Sequence, residues 1–79
     1  MKVLICLRKD PARQYLVNLL TDTLVDEVTS LVNNNRHSEA VVTAFSKGSF
    51  EREVDESELH YIEADLIISE NNARWDLCR

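Results

Sequence analysis

One glycine, Gly48, and one proline, Pro11, occur in 79 residues. So few chain-breaking residues imply mostly regular structure joined by short connections. A glycine-rich loop that cradles phosphate is excluded, since it needs several glycines close together. Cysteine is equally sparse: Cys6 and Cys78 lie near opposite ends, and no Cys-x-x-Cys pair exists. Two isolated thiols form neither a disulfide framework nor a zinc site, and such usage suits a reducing cytoplasm. On the usual habits of free cysteine, Cys6 is expected to be buried and Cys78 to lie loose at the chain end.

Long apolar runs are missing as well. Lys2 and Arg8 enclose only five apolar residues, too few for a signal peptide, and no segment reaches the length of a membrane span. The expectation is a soluble cytoplasmic protein. Nor is there an excess of positive charge: nine bases stand against fourteen acids, a formal charge of −5. Lys2, Arg8, Lys9 and Arg13 make a modest basic group that Asp10 partly balances. Direct binding of nucleic acid needs a cationic surface to displace counterions, and an acidic surface is repelled by anionic lipid. Neither nucleic acid nor membrane is an expected partner.

The negative charge that is present is concentrated. Glu51 to Asp65 holds seven acids and one base, Arg52, so that window sums to −6, while seven acids and eight bases elsewhere sum to +1. Clustered charge of one sign selects partners of the opposite sign. The apolar fraction of 44% supplies a core and argues against disorder. A chain of this length reads as one compact domain spanning residues 1–79, near the lower size limit for a core without staples, with a stability of about 3–5 kcal/mol.

The apolar run from Val3 to Leu7 predicts a strand covered on both faces. Asp10-Pro11 resembles a helix start, and Val17, Leu20, Leu24, Val28 and Leu31 follow in steps of three and four. This predicts a helix over 11–33, stopped by Asn33-Asn34-Asn35 because asparagine tolerates the left-handed conformation. A second strand is expected at 40–46, a reversal at Lys47-Gly48-Ser49, and a half-exposed strand at 50–55. Along that last strand Phe50, Arg52 and Val54 alternate with Glu51, Glu53 and Asp55. A second helix is expected over 56–70, with continuation to Trp75 as the alternative, although β-branched Ile67-Ile68 argues against a helix and Asn71-Asn72 offers an early end.

The resulting expectation is an α+β fold of βαββα order: a three-stranded mixed sheet, with a right-handed crossover, and both helices on one face. Leu4 and Cys6 would then face outward as an apolar patch, suited to a homodimer contact or to a partner that covers it. Trp75 is expected in the core.

Chemistry of the usual kinds finds no template. A calcium loop of the EF-hand type needs glycine at its sixth position and glutamate at its twelfth; counted from Glu51, these are Glu56 and Ile62. His60, Glu63 and Asp65 do not share one helix face, and His37 and His60 have no nucleophile beside them. Acids spaced along an exposed strand are not the buried pair that glycosidases and acid proteases use. No enzyme, cofactor or metal is expected.

Binding is the remaining reading. Glu51, Glu53 and Asp55 on a regular strand would stand about 6.6–7 Å apart, close to the roughly 6–7 Å between phosphates on one nucleic-acid strand. The expected partner surface comprises Glu51, Glu53, Asp55, Glu56 and Glu58, with Tyr61 as a neighbouring anchor. It would occupy a Lys/Arg-rich, nucleic-acid-binding surface of another protein. Small acidic proteins of phages and mobile elements that block restriction or CRISPR complexes work in this way, and the link to them is charge and size alone. The alternative is a dimeric regulatory or assembly domain in which the acids serve solubility.

Overall fold

The computed structural model describes residues 1–8 and 11–75. In chain order the elements are β1 (Lys2–Arg8), β2 (Arg13–Leu19), α1 (Asp22–Asn33), α2 (His37–Lys47) and β3 (Ser49–Val54). A 3-10 helix (Glu56–Tyr61), β4 (Leu66–Ser69) and β5 (Ala73–Trp75) follow. The strands form one sheet in the order β3-β2-β1-β4-β5. β1 and β4 run parallel, and the other neighbours antiparallel. The α+β class holds, but the sheet has five strands where three were expected, and the helices stand elsewhere in the chain.

β1 agrees with the expected strand. Val3, Leu4 and Ile5 are all buried, so both faces are covered there. Beyond it, the expected helix over 11–33 divides. Residues 13–19 form β2, which pairs with β1 from Lys2↔Leu19 to Arg8↔Arg13. The helical stripe counted Val17 and Leu20 as one face, yet Tyr15, Val17 and Leu19 also alternate with Gln14, Leu16 and Asn18. Pairing with β1 decides in favour of the alternation, as tertiary context overrides local propensity. The proposed cap at Asp10 lies outside the described residues.

α1 starts at Thr21, whose Oγ1 accepts a hydrogen bond from the Leu24 amide at 3.3 Å, with Asp22 in the first turn. Such a hydroxyl satisfies a free amide at the helix start, and the acid complements the helix dipole. Leu24, Val28 and Val32 are its buried stripe. The asparagine stop is as expected: Asn35 has φ 60°, and the Asn34 side chain donates to the Ser30 carbonyl at 2.8 Å.

The segment 40–46 is helix, not strand. Its core residues are Ala40, Val41 and Ala44, at i, i+1 and i+4 on one helical face, where a strand would alternate. Two alanines at this spacing let α2 lie close to the sheet, while Val42 and Phe45 remain exposed. The expected right-handed crossover to a second parallel strand at 40–46 therefore does not exist. Both helices cover the same sheet face, with Leu24, Val28, Val32, Ala40, Val41 and Ala44 packed with Val3, Ile5, Leu16, Leu66 and Ile68.

The expected helix over 56–70 is confined to the 3-10 turn at its start. Leu66, Ile67 and Ile68 pair with Val3, Leu4 and Ile5 of β1 instead. To reach β4, the chain leaves β3 at one edge and crosses the sheet to the far side of β1. Leu59, Ile62 and Ala64 pack there with Leu4, Val17 and Val54. This is why the face expected to be open is closed: Leu4 is only 5% exposed. Cys6 is half-buried. Trp75 is 41% exposed on the edge strand β5, not in the core. Cys78 lies outside the described residues.

Two positions are testable by equilibrium unfolding. A Cβ on Gly48 would stand 2.5 Å from the Ala44 carbonyl oxygen and 2.8 Å from Leu20 Cδ2. The glycine is thus required by space where α2 meets β3, and Gly48→Ala is expected to cost about 1–3 kcal/mol in urea titration. Asn18 is fully buried, and neither polar atom of its side chain has a hydrogen-bond partner among the described residues. Burying an unpaired amide costs free energy, so Asn18→Leu is expected to raise stability by about 1–3 kcal/mol in the same assay.

Candidate functional site

The acidic window is distributed over three parts of the fold: β3, the 3-10 helix and the crossing to β4. On β3 the expected alternation is broken. Arg52 stands opposite Val17 and Phe50 opposite Asn18, so Glu51 is an extra residue, the position of a β-bulge. Cross-strand partners share a face. Arg52 and Val54 therefore lie on the face of Val17 and Tyr15, and Glu53 and Phe50 on the helix-bearing face with Leu16 and Asn18. The even repeat expected from Glu51 through Glu53 is lost at the bulge. With it goes the comparison to regularly spaced phosphates for that pair.

Several of these carboxylates have partners within the chain. Glu51 lies 3.9 Å from the Lys2 ammonium, and Glu58 3.0 Å from the Arg52 guanidinium. Glu53 accepts a hydrogen bond from the Gln14 side-chain amide at 2.9 Å. All are solvent-accessible contacts of the kind worth about 0.2–1 kcal/mol, which an incoming cation can replace. Asp65 has a different task. Its carboxylate accepts from the Lys2 backbone amide at 3.1 Å, and its own amide donates to the Lys2 carbonyl at 2.8 Å. It ties the start of β4 to the start of β1.

Asp55, Glu56 and Glu63 are exposed, and their carboxylates make no hydrogen bond or ion pair among the described residues. Asp55 occupies the N-cap position of the 3-10 helix in extended conformation, but its side chain does not cap; its carbonyl accepts from the Glu58 amide at 2.9 Å. Tyr61 closes that helix and is 84% exposed, so its ring is presented to solvent. The expected residues from Glu51 to Tyr61 thus lie along the outer strand and the turn after it, with Glu51, Glu53 and Glu58 already engaged and Glu53 on the helix-bearing face.

In the sequence Phe50 is simply one member of the alternation. In the fold it is 56% exposed at the sheet edge, and nothing in its immediate sequence distinguishes it from a core aromatic. Elsewhere, His60 is exposed and His37 half-buried. Among the described residues no three His, Cys, Asp or Glu side chains converge where a metal ion could be held. Also among them, no helix is long and apolar enough to cross a membrane.

If the β3 charges serve the surface and not the fold, stability should separate them from their buried neighbour. Arg52→Gln is expected to change unfolding free energy by less than about 1 kcal/mol. Val54→Ala, at the buried end of the same strand, is expected to cost about 1.5–3 kcal/mol. Urea titration of both variants checks the contrast. Compared with known proteins, the chain matches no family model, no curated protein and no solved structure.

Proposed function

We infer that the chain is a non-enzymatic binding domain whose acidic edge, from Glu51 to Tyr61, engages a Lys/Arg-rich surface on a partner protein. Where that surface normally holds nucleic acid, the domain inhibits by occupying it. The observation that carries this reading is the coincidence of charge and exposure. Of the window's −6, the edge strand carries −1, from Glu51, Arg52 and Glu53 among exposed residues Ser49–Glu53. The rest falls on the 3-10 turn and the crossing after it, beginning with exposed, unpaired Asp55 and Glu56. Charge in such a place raises the encounter rate with a cationic surface and adds specificity. The internal contacts of Glu51, Glu53 and Glu58 weaken the reading only slightly, because exposed pairs exchange partners at little cost.

The rival reading, a dimer assembled through an open apolar sheet face, has lost its main support. Leu4 lies beneath Leu59, Ile62 and Ala64.

Charge reversal tests the inhibitor reading. Glu53→Lys, Asp55→Lys and Glu56→Lys together move the formal charge from −5 to +1, three changes of +2 each. All three sites are exposed, so the fold should persist. Affinity capture with the parent chain should recover a basic partner, with recovery falling as salt rises and the Debye length shrinks. The triple variant should lose that partner, and the parent chain should displace nucleic acid from it. Capture that is unchanged by reversal and by salt would overturn the proposal.

A further inference from the structure

A bare row of amides and carbonyls at a sheet edge invites another strand, and charged side chains and bulges commonly guard it. β3 carries both devices, so they select what can pair with it. It ends the sheet next to β2, and its first five residues are exposed, with only Val54 buried. Its outer edge therefore bears no strand among the described residues, and neither face of Ser49–Glu53 is roofed by the helices or by the 3-10 segment. The bulge displaces Glu51, but Arg52, Glu53 and Val54 keep regular pairing with Val17, Leu16 and Tyr15. Asp55 continues extended at φ −81°, ψ 156°. A regular outer edge thus runs from Arg52 to Asp55.

Charge decides what can lie along it. A second copy is disfavoured: antiparallel self-pairing centred on Glu51, Arg52 or Glu53 sets that residue against its own like charge. A strand bearing lysine or arginine meets the opposite situation. Its alternate basic side chains, all on one face, would lie beside Glu53 with exposed Phe50 offering apolar contact there, while its uncharged side chains would lie on the other face beside Arg52.

We propose that β3 is a docking edge that accepts an extended, lysine- or arginine-bearing segment of the partner as a sixth strand. The claim rests on the reading of the acidic edge as a binding surface, and it adds the mode of recognition: main-chain hydrogen bonds supply affinity and alternate basic side chains supply selectivity. The partner element is then a basic loop or tail able to extend, and not a rigid basic groove.

Two synthetic probes separate the mode from the charge. The first is a blocked peptide of about eight residues alternating lysine and threonine, long enough to match the six-residue strand. The second has the same sequence with N-methyl groups on its central backbone nitrogens, which removes the amide donors on both edges and leaves the charge unchanged. Binding is measured at low ionic strength by titration calorimetry, with amide hydrogen exchange read along the full chain by NMR. The expected result is that N-methylation weakens binding about tenfold or more, as loss of several main-chain hydrogen bonds requires, and that the unmethylated peptide slows exchange within Ser49–Val54. Equal binding of the two peptides would overturn the added-strand mode while keeping the charge reading. Discrimination between them with slowed exchange elsewhere, and not in β3, would overturn the assignment to this edge. Failure of both peptides to bind would overturn the mode and the charge reading together.

Discussion

Val3, Leu4 and Ile5 are consecutive and all withdrawn from water. Side chains of a strand alternate between faces, so both sides of the sheet have to be covered at β1. The helices do this on one side. On the other it is done by the chain crossing from β3 to β4, because β4 lies beyond β1 and pairs with it in parallel. Parallel neighbours require such a crossover. Here the crossing is made by a short 3-10 helix and a few irregular residues, and not by a long helix.

That route explains where the acids end up. Apolar residues of the crossing, Leu59, Ile62 and Ala64, are drawn inward against Leu4 and Val17. Glu56 before them and His60, Tyr61 and Glu63 between them are left outside. Asp65 alone among the acids of the window is turned to a structural use, pinning the crossing to the start of β1. Charge and apolar residues are thus sorted by the same strip of chain, and the acids of the crossing stand on the outer side of the lid over the second core, while Glu53 lies on the opposite, helix-bearing face.

The β3 strand occupies its exposed place for a related reason. The helices pack over the β1–β4 side of the sheet, where Val3, Ile5, Leu66 and Ile68 lie. Glu53 and Phe50 share the helix-bearing face yet project beyond the helices' cover. Buried Asn18 stands opposite Phe50 at the bulge, so the least well satisfied part of the interior adjoins the least covered strand.

Much of this was legible and much was not, and the division follows length scale. The strand at β1, the end of α1 at its asparagines and the presence of a strand at β3 were each visible because a few adjacent residues settle them: an apolar run, a residue tolerant of positive φ, a short run of alternating residues. The strand-to-strand reversal expected at Gly48 is instead the junction of α2 with β3. The start of α1 carried a signal at Thr21-Asp22 that the longer apolar stripe obscured. Residues 13–19 and 66–68 carry patterns that suit helix and strand alike, and only pairing with β1 chose between them. The segment 40–46 is rich in β-branched residues, yet it is helical because Ala40 and Ala44 fit closely against a sheet that local sequence cannot describe. For the candidate site, position in the chain located the acids and Tyr61. Which of them are free depended on Lys2, Arg52 and Gln14.

Composition and order along the chain determined that this protein would have a core, a mixed fold and one region of dense negative charge, since these depend on residue type and near neighbours. Tertiary structure alone decided that β1 would be central, that the crossing would close the second face, and that β3 would stand at the edge of the described sheet. Each of those outcomes depends on pairing between residues far apart in sequence, whose free energy appears only once the strands have met.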